Sequence, residues 1–278
     1  MRARSAACSD VDVATASARR EHPVSRTGVS GYVSVVEITG LGPRLHLIKP
    51  VFGQVYVWQD GSQLTMVDTG IPGSQDELAS AFAELGFRRG DLRRVVLTHG
   101  HEDHAGSAAA IRHWGGVEVL AHREDAGIVR GERVRADPVL TAAERPLYER
   151  VASAIASIPP CPVDTELADG DIVEFGGGAQ VIAAPGHTGG SIAVWLPSAG
   201  VLFTGDAVAN GTSGLMLGPF NTDRERARKS LVRLAQIPAQ TVCFGHGDPL
   251  SDEAGAAAWR RLGQLCQAGP QSVPDPLA

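Results

Sequence analysis

Thr98-His99-Gly100-His101-Glu102-Asp103-His104-Ala105-Gly106 is the stretch that decides the fold. It continues the apolar run Val95-Val96-Leu97, so its histidines leave the end of a buried strand. In extended backbone, side chains at i and i+2 share a face, and His99 and His101 can therefore grip one ion. Asp103 and His104 sit where the loop turns into a helix and can reach a second ion beside the first. Imidazole nitrogen and carboxylate oxygen suit Zn²⁺, and also Fe or Mn, while no thiolate is on offer. Gly100 and Gly106 are expected to allow the close backbone packing that such a loop needs.

On either side, short Val-, Ile- and Leu-rich runs bounded by Gly, Pro or Asp alternate with helical stretches. The runs are 44–48, 55–58, 64–68, 94–99, 117–122, 171–175, 180–187, 192–196, 201–206 and 241–246. Five of them end on Asp68, His99, His187, Asp206 and His246, residues of metal-ligating type. Strand ends of a layered α/β fold open toward one crevice, so these side chains can converge. His22, His46, His113 and His122 lie outside these motifs and are expected to be packing or surface residues. Helices are predicted over 74–85, 106–113, 141–156 and 223–236. Ser74 and Glu77 make a capping box for the first, Gly86 closes it, and Thr222 or Asp223 caps the last. Residues 123–165 break the rhythm. Leu147, Val151, Ile155 and Ile158, followed by Pro159-Pro160, make this stretch a candidate helical lid, with an ordinary packing helix as the alternative.

A chain of 278 residues suits one large core. The expected domain covers 31–265, with a disordered arm over 1–30 and a disordered tail over 266–278. A balance of 25 basic against 31 acidic residues gives a net charge of −6, which disfavours nucleic acid as a partner. No apolar run approaches the roughly 20 residues of a membrane helix, and residues 1–30 carry no signal-peptide core. Cys8, Cys161, Cys243 and Cys266 are scattered, without a C-x-x-C pair. The expectation is a cytoplasmic protein without disulfides or a membrane partner.

THGHEDHAG (98–106), followed in order by GHTGGS (186–191), FTGD (203–206) and FGHGDP (244–249), resembles the metallo-β-lactamase fold superfamily. The resemblance spans about residues 35–255. It implies an α+β fold, a four-layer αββα sandwich of two similar halves with metals at one edge. It further implies that His99, His101 and His187 hold one ion, that Asp103, His104 and His246 hold the other, and that Asp206 bridges them. Asp68, in VDTG, matches the acidic residue that supports the ligands without binding metal. Two Zn²⁺ per chain is the expected cofactor. Two such ions about 3.5–4 Å apart can share one water and bring its pKa near neutrality. The bridging hydroxide would then cleave an activated acyl bond (ester, thioester, lactone or amide), with Asp103 orienting it and shuttling its proton.

Departures from subfamilies narrow the expectation. Asp206 argues against β-lactam hydrolysis, since true β-lactamases of the superfamily lack it. Glyoxalase II enzymes carry a glutathione-binding helical domain after the last histidine. Here 32 residues follow His246, and NGTSGLMLG (210–218) replaces their basic Gly-Cys-Gly segment, which argues against glutathione thioesters. Acyl-homoserine lactonases place a tyrosine where this chain has Ala209. The candidate lid over 141–158, with Leu215, Met216, Leu217 and Phe220, is expected to wall an apolar pocket. The expected substrate is thus a mainly apolar small acyl compound, with carrier-bound acyl or polyketide chains included. Two alternatives stand: a persulfide dioxygenase with one iron on the first ligand set, and a non-catalytic module holding a structural metal.

Overall fold

The computed structural model describes residues 36–152 and 155–275; the arm expected over 1–30 lies outside the described residues. Strands β1 (Glu37–Gly40), β2 (Leu45–Lys49), β3 (Val55–Asp60), β4 (Gln63–Val67), β5 (Leu92–Val96), β6 (Glu118–His122) and β7 (Thr165–Leu167) form one sheet in that order. It is antiparallel from β1 to β4 and parallel from β4 to β7. The second half contributes β8 (Ile172–Val173), β9 (Ala179–Ala183), β10 (Ile192–Leu196), β11 (Val201–Gly205), the hairpin of β12 (Val208–Gly211) and β13 (Gly214–Leu217), and β14 (Thr241–Phe244). Its sheet runs β14-β11-β10-β9-β8.

The period-2 pattern of the strands sorts their side chains into layers. On β3, Val55 and Val57 pack beneath α1 (Gln75–Glu84), against Leu78 and Phe82, while Tyr56 and Trp58 face the second sheet. There they meet Val194 of β10 and Phe203 of β11. Ala193 and Leu202, one residue along, turn outward beneath the helices that cover this sheet. Continuous apolar content on both faces is what a sheet covered on both sides requires. Three apolar layers between four structural ones make the αββα sandwich. β4 and β5 are parallel, as are β11 and β14, and β9 runs with β11 because both oppose β10. The strand ends named from the sequence therefore open toward one edge within each sheet.

Each expected run contains a strand, trimmed by a few residues where the loop bearing the functional side chain begins. The helices α2 (Glu102–Ala105), α3 (Ala108–Arg112), α4 (Arg123–Val129), α5 (Arg145–Ala152), α6 (Arg224–Leu234) and α7 (Glu253–Cys266) complete the fold. Asp223 caps α6 by accepting from Arg226 N at 2.9 Å, and Gly86 ends α1 at φ +81°. The capping box at Ser74 does not form. Ser74 has helical backbone and makes no side-chain cap, and Glu77 instead accepts from Val51 N at 3.3 Å.

α7 has no counterpart in the sequence expectations, because Gly255 and Gly263 interrupt its apolar stripe. A Cβ at Gly263 would collide with Ala235 O, so this glycine serves close packing of α7 on the end of α6. Trp259, fully buried, fixes the same contact by donating to Ile237 O at 2.9 Å. The tail expected over 266–278 is also ordered as far as it is described. Val273 is buried in the outer core, Pro274 O accepts from Leu217 N, and Asp275 pairs with Arg224 at 2.8 Å and Arg228 at 2.7 Å. One apolar side chain and one carboxylate suffice there because α6 presents the matching slot. No described helix is long and apolar enough to cross a membrane. Cys161, Cys243 and Cys266 are buried free thiols.

Candidate metal centre

β5 ends at Val96, and its next residues carry the site. Asp68, the first residue beyond β4, accepts from Thr98 N and from Thr98 Oγ1, both at 2.7 Å. Its Oδ2 also lies 2.8 Å from His104 Nδ1, which must donate to it. Thr98 Oγ1 has spent its proton on Asp68 and so accepts from His99 Nδ1 at 3.1 Å. These contacts turn the Nε2 atoms of His99 and His104 inward, where both are buried and neither makes a hydrogen bond among the described residues. His187 is held likewise: its Nδ1 donates to Pro219 O at 2.9 Å, and its Nε2 faces His101 Nδ1 at 2.9 Å.

Asp206, just past β11, is buried between the groups. Its Oδ1 is 3.3 Å from His104 Nε2, and its Oδ2 is 3.5 Å from His187 Nε2 and 3.4 Å from His246 Nε2. Asp103 Oδ2 is 3.1 Å from His246 Nε2. Ligand atoms of His99, His101 and His187 lie within 4.8 Å of one another, as do those of His99, His104 and Asp206, and of Asp103, His104 and His246. All seven residues named from the sequence thus come together, and Asp68 stands behind them. Of the other histidines, His122 caps α4 by accepting from Glu124 N, and His46 packs edge-on against Phe87. His22 lies outside the described residues.

The two triads differ electrostatically. Burial, reinforced by neighbouring imidazoles, pushes His99 and His101 well below the ordinary histidine value, and burial lowers His187 too. Three neutral imidazoles form a ready donor set at neutral pH. Burial alone would also lower His104 and His246, but Asp206 and Asp103 outweigh it. His104 is raised well above its ordinary value, and His246 is pushed up to about 10. Burial would raise the Asp103 and Asp206 carboxyls, yet His104 and His246 hold both below the usual carboxylate range. Two carboxylates held this close, Asp206 buried and Asp103 half-buried, call for positive charge, from protons or from a cation. The donor chemistry and the orphaned Nε2 atoms of His99 and His104 and Oδ1 of Asp206 fit divalent ions.

The loop glycines act in two ways. A Cβ at Gly106 would collide with Glu102 O and Pro72, so that residue meets the close-packing expectation. Gly100 does not need to be small for this reason, since a Cβ there would meet only ordinary contacts beginning at 3.4 Å; its N–H, donated to Asp125, is what the site uses.

A cavity of about 70 Å³ lies over Asp103, His101 and Glu102, roofed by Tyr148 and Val151 of α5, Ile155, Pro138 and Phe220. The Tyr148 and Phe220 rings meet edge to face at 5.2 Å. Arg135 crosses it, bonded to Glu102 at 3.1 Å and to Tyr148 Oη at 3.2 Å. The expected apolar wall is therefore part right. Val151, Ile155 and Phe220 line the cavity, whereas Leu147 is exposed and Ile158 packs on the first core. Leu215, Met216 and Leu217 do not line it. β13 pairs with β12 and sends Leu217 into the outer core beneath α6 and α7.

Several functional residues escaped the sequence reading. Asp125, buried at the start of α4, accepts from Gly100 N, Gly190 N and Thr188 Oγ1. Glu144, with a fully buried side chain, accepts from Phe220 N at 2.9 Å and pairs with Arg224 at 3.0 Å. Phe220 sits at φ +62°, a left-handed conformation held between the Glu144 contact and the Pro219–His187 bond. VEVLAH ends at a layer edge like the other runs, and that was the available signal for Asp125.

Comparison with known proteins places this geometry. The family model for the metallo-beta-lactamase superfamily matches residues 48–246, a span that holds all seven clustered residues. The chain belongs to the metallo-beta-lactamase superfamily. It is 33% identical over 196 residues to a hydroxyacylglutathione hydrolase of Rhodobacter capsulatus, a match covering 69% of this chain and 60% of that protein. It is 31% identical over 235 residues to the probable metallo-hydrolase YflN of Bacillus subtilis, covering 74% of this chain and 85% of the relative. A metallo-beta-lactamase family protein of Thermus thermophilus superposes with a TM-score of 0.60 at 25% identity, covering 82% of this chain and 81% of that one.

Proposed function

We propose that this chain is a metal-dependent hydrolase that cleaves the activated acyl bond of a small, mainly apolar substrate: a thioester first, then an ester or lactone. The observation that carries the reading is the set of buried atoms, His99 Nε2, His104 Nε2 and Asp206 Oδ1, that make no hydrogen bond among the described residues and lie between two histidine-rich triads. His99, His101 and His187 would hold one divalent ion, Asp103, His104 and His246 the other, with Asp206 shared. Two such ions supply Lewis acidity toward a carbonyl and acidify water near neutral pH. Asp103, open to the cavity, orients a water on a carboxylate oxygen and passes its proton onward. Tyr148, Val151, Ile155 and Phe220 exclude solvent and receive the acyl group.

The likeness to hydroxyacylglutathione hydrolases supports the thioester member of this class and sets S-acylglutathione beside other acyl thioesters, despite the sequence features that argue against glutathione. The test begins with metal content per chain, by mass spectrometry, on protein purified without added metal. About two zinc ions, with thioester turnover that disappears in a folded Asp206→Asn variant, is the expected result. Undiminished turnover in that variant would sink the dinuclear reading. About one iron, with oxygen uptake on persulfides, would replace hydrolysis by the dioxygenase. Metal without any turnover would favour the non-catalytic module.

A further inference from the structure

Arg123, Glu124 and Asp125 open α4 and resemble an ordinary charged first turn. Arg123 and Glu124 are indeed exposed, but Asp125 is 1% exposed and is turned into the protein. Its Oδ2 accepts from Gly100 N at 2.8 Å and from Thr188 Oγ1 at 2.7 Å, and its Oδ1 accepts from Gly190 N at 2.9 Å. Ser191 Oγ, which accepts from Thr188 N, lies 2.9 Å from Thr188 Oγ1 and completes the cluster.

Gly100 stands between His99 and His101, and Thr188 follows His187. One carboxylate therefore ties the two loops that carry the whole three-histidine triad. Among the described residues, its hydrogen bonds go to neither Asp103, His104 nor His246, and to no side chain lining the cavity over Asp103. The backbone is shaped to let it in: a Cβ at Gly190 would stand 2.5 Å from Asp125 Oδ1. Two backbone N–H groups and a hydroxyl aimed at one buried carboxylate cost far more to leave unpaired than a solvated cluster would.

We propose that Asp125 is the positioning residue of the His99–His101–His187 triad, holding its two loops at the separation one divalent ion needs. The inference rests on the metal reading of the site proposed above. Asparagine cannot replace Asp125, because either orientation of its amide sets an NH₂ group against a backbone N–H: Gly190 in one, Gly100 in the other. Thr188→Val removes a single donor and leaves the carboxylate in place, so it provides a milder variant that retains the fold.

The experiment is zinc titration of the full chain against a competing chelator, with long-range ¹H–¹⁵N spectra of the imidazoles to show which histidines each ion engages. In Asp125→Asn, zinc at His99, His101 and His187 should weaken about 10- to 100-fold, as for other residues that orient metal ligands, while zinc at Asp103, His104 and His246 stays unchanged. Thr188→Val should weaken the same ion about two- to tenfold. Unchanged zinc affinity in either variant overturns the inference, and so does an equal loss at both ions with a lowered melting temperature of the metal-free protein, the mark of a merely structural residue. If Asp125→Asn does not fold, Thr188→Val decides. A wild-type chain that binds one ion, seen on the three histidines, would end the dinuclear reading and leave Asp125 to be judged on that ion. Zinc engaging only Asp103, His104 and His246 would overturn the inference itself.

Discussion

Asp68 shows how much one residue can arrange. It sits at φ +63°, a left-handed conformation that costs a non-glycine residue on the order of 1 kcal/mol or more. Aspartate bears this better than most residues because its short side chain bonds locally. In return its carboxylate receives Thr98 N, Thr98 Oγ1 and His104 Nδ1, and through Thr98 it also sets the tautomer of His99. Asp68→Asn keeps the backbone preference but puts an amide NH₂ against these donors. The fold should persist while zinc affinity falls about 10- to 100-fold in chelator competition. Undiminished affinity would remove Asp68 from its supporting role.

At the scale of elements, the segment leading into α5 is anchored by charge and its cavity face is apolar. Glu144 is buried with Arg224, which also grips Asp275, so the root of α5, the Phe220 loop and the C-terminal segment share one ion-pair network. Burial would raise the Glu144 carboxyl, but the hydrogen bonds from Arg224, Thr141 N and Phe220 N outweigh it and hold it below its ordinary value. A depressed folded value means that its contribution is complete above an unfolded pKa of about 4.3 and is lost as pH falls through the folded one. Glu144→Gln should lose about 1–3 kcal/mol in denaturant melts at pH 7 and less at pH 3, which lies below the unfolded value, where the contribution is already declining. An equal loss at both values would mean that the charge is irrelevant. On the cavity face, Val151→Ala with Ile155→Ala should raise KM for long acyl substrates about tenfold and leave acetyl esters nearly unchanged. Equal effects on both would reduce α5 to a packing helix.

Across the whole molecule, the clustered side chains come from both sheets: His99 to His104 follow β5, while His187, Asp206 and His246 follow β9, β11 and β14. Ions held there would cross-link the halves and stabilise only the folded chain. A ligand at a hundred times its Kd adds about 2.7 kcal/mol, which for a domain of this size is several degrees in Tm. Chelator-treated protein should melt about 5–10 °C lower, recover with zinc and keep its near-ultraviolet circular dichroism, because the three apolar layers do not depend on the site. A melting point indifferent to chelation would argue against ions shared between the halves.

The sequence by itself showed the buried strands and the donor-rich run, and its motifs, through the family they resemble, implied the four layers. Strand faces follow from a two-residue period, and H-x-H-x-D-H crowds its donors into six positions, so both are local and visible in one dimension. The same locality shows why α7 was missed: Gly255 and Gly263 break its stripe, and their purpose lies in the surface that the helix meets. Only the tertiary structure decided that Asp125 reaches Gly190, 65 residues away, or that Glu144 reaches Phe220, 76 away. In sequence, Asp125 is one acid in a stretch with no helix predicted at it, and Glu144 is one charge within the helix predicted over 141–156. Each carboxylate acquires its role from buried donors that other elements bring to it, and no local pattern records what the fold will place opposite a side chain.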